Sequence, residues 1–164
     1  MLIKKNNEVK TSSIICNDIR YSFNLLSKQI DENKIVKMLS ITITDTVAKH
    51  LTDLRHLITN SLFNTINKEY KKTNEIVNYL FVIEYPEAVS KGEIVPSNCK
   101  VHSHIVLNTT LSKDTIEYYI QQSTKGEVYI EDITKRNDRN NYVNYLVKQS
   151  KLFTNDNYNY KITI

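Results

Sequence analysis

Two of the four histidines in this chain are separated by a single residue. They are His102 and His104, in the apolar segment VHSHIVL at residues 101–107. Side chains alternate across a β-strand, so the two imidazoles are expected to point to the same side of a sheet. Neutral imidazole is a common ligand of transition metals, and two histidines suit a metal site with open positions. The alternative is a pair of polar residues on the solvated face of an antiparallel sheet.

A glutamate ends the apolar segment that precedes the histidines. Residues 75–85, EIVNYLFVIEY, predict a β-strand that carries Glu84 near its end. Residues 86–100 contain both prolines and one of the two glycines, which predicts a loop between the strands. Because strand ends on either side of a hairpin loop are neighbours, Glu84 is expected near His102. Its carboxylate and the two imidazoles would form a three-ligand site with room for water and a phosphate oxygen; Glu87, in the loop, is a second candidate ligand.

A tyrosine and a lysine share one face of a predicted helix over residues 138–152. Within NYVNYLVKQ, Tyr145 and Lys148 are three residues apart, Tyr142 lies one turn earlier, and Gln149 is four residues after the tyrosine. A phenol is a weak nucleophile at neutral pH. A nearby ammonium group favours the anionic form of a phenol and stabilises charge on a phosphoryl group.

The same spacing recurs outside this helix. Tyr158 and Lys161 are also three residues apart, in the Asn-rich tail over residues 153–164. The chain contains eleven tyrosines, so an amphipathic helix that packs its aromatic side chains is an alternative to a catalytic tyrosine. Tyr145 is the stronger candidate for a nucleophile, because a loose tail forfeits much of the near-attack geometry that catalysis rewards.

Hydrophobic periodicity predicts the elements that must position these side chains. The predicted elements are, in chain order, helix 13–30, strand 35–44, helix 46–70, strand 75–85, strand 101–108, a helix that starts after Ser112, strand 127–133 and helix 138–152. For the last residues of the tail, the sequence is compatible with a strand and with disorder. After the first helix, the order β-α-β-β-α-β predicts an α+β fold, a ferredoxin-like split βαβ antiparallel sheet with helices. We expect a single domain over residues 1–164, with a core over about 35–150.

Composition narrows the class of protein. Lys and Arg outnumber Asp and Glu by 22 to 18, and the net charge of +4 permits a nucleic-acid partner without requiring one. The two cysteines form no CxxC motif, which favours a reducing compartment. The first residues lack the apolar core of a signal peptide, and no run approaches the ~20 apolar residues that span a bilayer. We therefore expect a soluble cytoplasmic protein with no membrane partner.

Taken in chain order, the candidate residues resemble the motifs of a known enzyme superfamily. A glutamate at the end of one strand, His-x-His on the next strand and Tyr-x-x-Lys on a helix about forty residues further on resemble the HUH endonucleases, specifically the nicking domain of rolling-circle replication initiators (Rep). The resemblance extends to KMLSITITD at residues 37–45 and covers roughly residues 35–150. One departure is Ser103, where the superfamily usually has a bulky apolar residue. The resemblance implies metal ligands at Glu84, His102 and His104, a nucleophile at Tyr145 and the motif lysine at Lys148.

The resemblance also implies an activity. Such an enzyme is a metal-dependent, sequence-specific endonuclease and strand transferase that acts on single-stranded DNA at an origin or hairpin. With Mn²⁺ or Mg²⁺ as cofactor, the tyrosine forms a 5′-phosphotyrosine link and leaves a free 3′-hydroxyl, which initiates rolling-circle replication of a plasmid or virus in the host cytoplasm. No Gly-rich nucleotide-binding loop follows the motifs, so a stand-alone nickase is expected. Basic candidates for phosphate contacts are Lys100, Lys113, Lys135, Arg136 and Arg139.

Other interpretations remain open. A single-strand DNA transposase of the same superfamily would use Gln149 as a metal ligand, and an initiator could use Tyr142 as a second nucleophile. A non-catalytic ferredoxin-like domain could bind nucleic acid through its sheet. A structural zinc site could combine Cys99 with the two neighbouring histidines, although no fourth ligand is near. A two-histidine phosphoesterase is disfavoured because His50 and His56 lie on the predicted long helix. The oligomeric state, a homodimer included, is open.

Overall fold

The computed structural model describes residues 2–4, 12–45, 68, 78–84, 101–124, 126–148 and 158–163. Its strands and helices are, in chain order, β1 (Leu2–Lys4), α1 (Ser12–Glu32), β2 (Lys37–Asp45), β3 (Asn78–Glu84), β4 (Val101–Thr109), α2 (Lys113–Ser123), β5 (Glu127–Asp132), α3 (Arg136–Leu146) and β6 (Tyr158–Thr163). Apart from Lys68, the helix predicted over 46–70 lies outside the described residues, as does the loop predicted over 86–100. None of the helices that are described is long and apolar enough to cross a membrane.

The sheet has six strands in the order β1-β6-β3-β4-β2-β5, and every pair is antiparallel. Strands β2 and β3 therefore run in the same direction with β4 between them, and β4 and β5 do so with β2 between them. Helix α2 connects the second of these pairs, which makes a split βαβ unit. The architecture is an α+β, ferredoxin-like fold, as the sequence predicts.

The C-terminal tail, which the sequence leaves open between a strand and disorder, ends in strand β6. This strand pairs with β3 on one side and with β1 on the other. Its side chains alternate, because Tyr158, Tyr160 and Ile162 are buried and the residues between them are partly exposed. A period of two is the pattern of a strand with one face against a core. Strands β1 and β6 thus extend the sheet beyond the four strands that the sequence predicts.

Both faces of the sheet are buried along its central strands β3 and β4, whereas most residues of the edge strand β5 are exposed. On the face that carries the histidines, Leu80 of β3 belongs to one apolar core with Leu26 of α1 and Leu146 of α3. On the opposite face, Phe81 and Ile105 are fully buried as well. Strands buried on both faces read as continuous apolar runs in the sequence, as β3 does. His104 is therefore buried rather than on a solvated face, and His102, nearer the start of β4, is half-buried.

Buried amide groups fix α1 to the sheet. Asn78 of β3 and Asn108 of β4 each donate a hydrogen bond to the side-chain oxygen of Gln29, at 3.1 and 2.9 Å. The Gln29 amide donates to the backbone oxygen of Thr163 at 2.7 Å, and the Asn108 amide also donates to the backbone oxygen of Leu26 at 2.9 Å. A connected network of this kind forms in only one position of the helix, so it specifies how α1 docks.

Arg139 joins α3 to α1. Its side chain is 3% exposed, and its guanidinium donates to the backbone oxygen of Ser27, the hydroxyl of Ser27 and Asp31 Oδ1, at 2.6, 2.7 and 2.7 Å. The prediction that Arg139 contacts a DNA phosphate is therefore wrong, because these donors are committed to α1 in a buried position. The other basic candidates among the described residues are exposed: Lys113, Lys135 and Arg136.

Gly126 lies where the turn before β5 meets the end of β2. A Cβ atom at this position would overlap the carbonyl oxygen of Thr44. The close approach of two backbones thus requires glycine here. The contact lies beside the histidine pair, because Thr44 is opposite His102 in the register of β2 and β4.

Candidate active site

The two histidines lie within the sheet, between strands β3 and β2. In the register of these strands, His102 is opposite Glu84 on one side and Thr44 on the other. His104, two residues further along β4, is opposite Thr42 of β2. Directly opposed residues share a face of the sheet. Strand register therefore places Glu84 beside His102, where the hairpin argument expects it.

Glu84 reaches past its register partner to His104. The carboxylate oxygen Oε2 lies 3.2 Å from Nε2 of His104, and the two side chains are 6% and 2% exposed. Neither Oε1 of Glu84 nor Nε2 of His104 has a hydrogen-bond partner among the described residues. Glu84 Oε2 and His104 Nε2 are thus close together, but they are not aligned as a hydrogen bond. Buried polar atoms are normally paired, and a cation bound to both side chains would satisfy them.

A threonine of β2 contacts each imidazole ring. Oγ1 of Thr44 lies 3.0 Å from Nδ1 of His102, and Oγ1 of Thr42 lies 3.3 Å from Nδ1 of His104. The two rings are nearly parallel, with 15° between their planes and 6.3 Å between their centroids. When Nδ1 is engaged in this way, Nε2 is the nitrogen through which a ring can bind a metal. Sequence-based prediction missed these threonines, although Thr-x-Thr on β2 repeats the spacing of His-x-His on β4.

One carboxylate and two imidazoles on the same face fit a divalent ion with open coordination positions. In the part of the chain that the structure describes, no three His, Cys, Asp or Glu side chains are close enough together to hold a metal ion. Glu84 and His104 nevertheless supply two adjacent ligand atoms, and His102 supplies a further imidazole on the same face. The types of the donor atoms therefore agree with the metal that the resemblance implies.

Helix α3 places Tyr145 against His104. The centroids of the two rings are 4.9 Å apart and their planes are inclined by 79°, which is an edge-to-face contact. Tyr145 is 42% exposed, so one part of the side chain packs on the site while another part meets solvent. The structure thus brings the predicted nucleophile and a predicted metal ligand together, although they are about forty residues apart in the chain.

Lys148 connects the tyrosine to the carboxylate. Its Nζ lies 3.8 Å from the centroid of the Tyr145 ring and 3.8 Å from Oε2 of Glu84. The sequence predicts Lys148 within the helix, but α3 ends at Leu146 and Lys148 follows in a turn. In that turn the Lys148 N–H donates to the Tyr145 carbonyl at 3.4 Å. The ammonium group lies over the ring, where a cation is attracted to the aromatic face.

Two other tyrosines are poorly placed to act as the nucleophile. Tyr142 lies next to Tyr145, with 5.7 Å between ring centroids, but its hydroxyl is buried and burial raises its pKa. Tyr158, which the sequence places in a loose tail, is fully buried in β6 and donates a hydrogen bond to Asp18 at 2.6 Å. Burial also raises the pKa of Tyr158. Both hydroxyl groups therefore resist ionisation, which disfavours them as nucleophiles.

An open cleft of about 270 Å³ lies beside Tyr145. It is lined by Glu131, Ile133, Asp138, Asn141, Tyr142 and Tyr145. Two of these residues carry carboxylates, which repel phosphate groups. The cleft therefore disfavours an anionic ligand, whereas the side of Tyr145 that carries Lys148 favours one.

Several predicted participants lie outside the described residues. They are Glu87, Cys99, Lys100, Gln149, His50 and His56. The transposase interpretation depends on Gln149, and the zinc interpretation depends on Cys99. Both interpretations therefore stay predictions.

Comparison with known proteins bears on the fold. No protein-family model matches the chain, and no curated protein matches its sequence. Among solved structures, the chain is similar to the crystal structure of the hypothetical protein ORF119 from Sulfolobus islandicus rod-shaped virus 1, with a TM-score of 0.50. The similarity covers 82% of this chain and 95% of that one, at 16% sequence identity. At this identity the likeness shows a common fold alone.

Proposed function

We propose that this protein is a metal-dependent, sequence-specific endonuclease and strand transferase for single-stranded DNA, and that it forms a 5′-phosphotyrosine intermediate. The observation that carries the proposal is the contact between Tyr145 and His104, at 4.9 Å between ring centroids. The same imidazole lies 3.2 Å from the buried carboxylate of Glu84. A hydroxyl nucleophile next to a ligand set for a cation is the arrangement that metal-assisted phosphoryl transfer needs.

Glu84, His102 and His104 would hold Mn²⁺ or Mg²⁺. When bound, such an ion supplies Lewis acidity at a nonbridging oxygen of the DNA phosphate. The strands set the spacing of the ligands, and the burial of Glu84 and His104 keeps water from competing for them. Because two of the three ligand atoms are nitrogens, the site favours Mn²⁺ over Ca²⁺, which prefers oxygen ligands.

Tyr145 is the proposed nucleophile. Its phenolic oxygen forms a bond to phosphorus while the bond from phosphorus to the 3′-oxygen breaks. The phenolic proton is lost to solvent, and the leaving 3′-oxygen takes up a proton to become a hydroxyl. Lys148, close to both Tyr145 and Glu84, is placed to stabilise negative charge on the phosphoryl group. Attack by a 3′-hydroxyl on the phosphotyrosine reverses the reaction and rejoins a strand.

The burial of the ligands supports a single-stranded substrate. Glu84 is 6% exposed and His104 is 2% exposed, so a phosphate must come close to the sheet to reach them. A phosphate in an intact duplex is flanked by the paired strand and cannot align in line with a tyrosine held on a packed helix. Enzymes with recessed sites commonly act on single-stranded or locally extruded DNA for this reason.

A replication role is the most specific part of the proposal. Cleavage that leaves a free 3′-hydroxyl provides a primer, and the covalent link retains the energy needed to close the displaced strand later. The proposed biological task is therefore to initiate rolling-circle replication of a plasmid or virus, in the cytoplasm of its host. The support for this step is the order of Glu84, the histidine pair and Tyr145 along the chain.

The proposal is tested by trapping the covalent intermediate. The protein is mixed with an end-labelled library of single-stranded oligonucleotides and Mn²⁺, and the products are separated under denaturing conditions. The expected result is a protein–DNA adduct whose peptide map places the DNA on Tyr145. Tyr145→Phe should abolish the adduct, whereas the matched variant Tyr142→Phe, one turn earlier on α3, should retain it.

Two outcomes count against the proposal. DNA attached to another tyrosine, with Tyr145 unmodified, overturns the assignment of the nucleophile. Tight binding of oligonucleotides by a folded protein that forms no adduct with any member of the library would instead support a non-catalytic nucleic-acid-binding domain.

A further inference from the structure

Two threonines of β2 stand in register with the two histidines of β4. Thr42 is opposite His104 and Thr44 is opposite His102, and each hydroxyl meets the Nδ1 atom of its partner ring. The Oγ1–Nδ1 distances are 3.3 Å for the first pair and 3.0 Å for the second. Both strands present alternate residues to the same face, so the pairing of the side chains follows directly from the strand register.

A neutral imidazole carries one N–H group, and its two nitrogens compete for that hydrogen. In His104, Nε2 is buried and without a hydrogen-bond partner among the described residues, while Nδ1 faces the Thr42 hydroxyl. A hydroxyl can accept a hydrogen bond, so hydrogen on Nδ1 is satisfied there. Hydrogen on Nε2 would lie near Glu84 Oε2, but these atoms, although 3.2 Å apart, are not aligned as a hydrogen bond.

We propose that Thr42 and Thr44 are positioning residues that accept the Nδ1–H groups of His104 and His102 when the divalent ion is bound. They thereby hold both rings in the tautomer and orientation that offer Nε2 to the ion. The inference rests on the metal site of the proposed function. The threonines act through the histidines and have no contact with substrate in this scheme.

The expected effect on metal binding is large enough to measure. Outer-shell partners of histidine ligands typically change metal affinity or activity by roughly 10- to 100-fold. Valine has nearly the shape of threonine but lacks the hydroxyl, so Thr42→Val leaves Nδ1 of His104 without an acceptor. The hydrogen then either moves to Nε2, where it blocks metal binding, or stays on the buried Nδ1 without a hydrogen-bond acceptor.

The test measures Mn²⁺ binding to the full chain by electron paramagnetic resonance of the free ion. Thr42→Val and Thr44→Val should each raise the dissociation constant about 10-fold or more, whereas Thr42→Ser and Thr44→Ser should bind as the unchanged protein does. Thr134→Val is the matched control. It removes a hydroxyl that accepts a hydrogen bond of 3.1 Å from the N–H of Met38. Met38 lies at the end of β2 away from Thr42 and Thr44. The inference is overturned if the valine and serine variants have equal dissociation constants for Mn²⁺. It is also overturned if the Thr134 control loses as much Mn²⁺ affinity as the Thr42 and Thr44 valine variants.

A measurement on the unchanged protein covers the case in which a valine variant fails to fold. Long-range ¹H–¹⁵N correlation spectra at saturating Mg²⁺ report which ring nitrogen carries hydrogen. We expect His102 and His104 to be protonated at Nδ1, and protonation at Nε2 in either ring overturns the inference. Neither experiment reads DNA cleavage. If the binding and NMR results are as expected but no adduct forms, the proposed function alone is rejected. If the adduct forms but the binding and NMR results are not as expected, only the role of the threonines is rejected.

Discussion

The rings of Tyr145 and His104 meet edge to face, with 79° between their planes. This contact joins α3 to β4, so the place of the tyrosine depends on how firmly α3 is docked. Two anchors secure that helix: Leu146 is fully buried in the core shared with α1, and Arg139 is bonded to Ser27 of α1. Because a small displacement of a nucleophile from near-attack geometry costs much of its rate, the proposed chemistry depends on these two anchors.

Lys148 is expected to contribute to the reaction rate rather than to metal binding. Lys148→Met removes the charge 3.8 Å from Glu84 and from the Tyr145 ring and should slow adduct formation about 100-fold, as the loss of one charge-stabilising group commonly does. Lys148→Arg keeps a positive charge and should recover part of the rate. The Mn²⁺ affinity should change little in either variant. An unchanged rate in the methionine variant, measured in single-turnover assays, would show that the lysine has no role in the chemistry.

The metal site predicts a preference among ions. His104→Ala should abolish measurable Mn²⁺ binding and adduct formation, because it removes the imidazole whose Nε2 is 3.2 Å from Glu84. Mn²⁺ should support more cleavage than Ca²⁺ at equal concentration, since imidazole nitrogens suit Mn²⁺ better. Ser40→Ala, on the same face of β2, serves as a control and should bind Mn²⁺ normally. Retained Mn²⁺ affinity in the His104 variant contradicts the assignment.

The form of the DNA should decide whether cleavage occurs. A single-stranded oligonucleotide that forms the adduct should react readily, and the same sequence in a fully paired linear duplex should resist. The physical reason is that the ligands are nearly buried and Tyr145 is held on a packed helix, so a phosphate must leave the duplex to reach them. Time courses with labelled substrates measure the difference. Equal rates on the two forms would falsify the model of the substrate.

Arg139 is expected to act on stability and not on DNA binding. Arg139→Ala should lower the free energy of unfolding by about 2 kcal/mol, because hydrogen bonds from a buried charged group to Ser27 are lost. Arg136→Ala, at an exposed position three residues earlier, should change it by less than about 0.5 kcal/mol. Urea unfolding measures both values. A stability loss as small for Arg139 as for Arg136 would mean that the link between α3 and α1 has no energetic weight.

The Arg139–Asp31 pair predicts a pH dependence of stability. The hydrogen bond from the Arg139 guanidinium holds the pKa of Asp31 below its ordinary value of 3.8. A carboxyl group whose pKa is lowered in the folded state stabilises that state above its unfolded pKa, and the contribution is lost as the pH falls through the folded value. The difference in melting temperature between the unchanged protein and Asp31→Asn should therefore be constant near neutrality and shrink below pH 3.8. A difference that grows on acidification contradicts this sign.

Local patterns in the sequence predict the strands and the side chains that share a face. The apolar runs of β3 and β4 specify strands, because alternation on a pleated chain decides which side chains share a face. The tail with Tyr158 and Ile162 stayed open between a strand and disorder in the sequence, and its pairing with β1 and β3 makes it a strand. The same rule places His102 and His104 on one side of the sheet. The element order then limits the fold to an α+β, ferredoxin-like arrangement, which the structure confirms.

Which helix faces and side chains meet follows from the way the elements pack together. Local periodicity says that Tyr145 shares a helix face with Tyr142, but the docking of α3 on the histidine face leaves Tyr145 partly exposed and buries the Tyr142 hydroxyl. Docking likewise commits Arg139 to α1, against the sequence-based prediction. The pairing of threonines with histidines depends on the register of β2 and β4, which are joined through more than fifty intervening residues. Such long-range contacts are set by the packing of the whole core, which no short window of sequence contains.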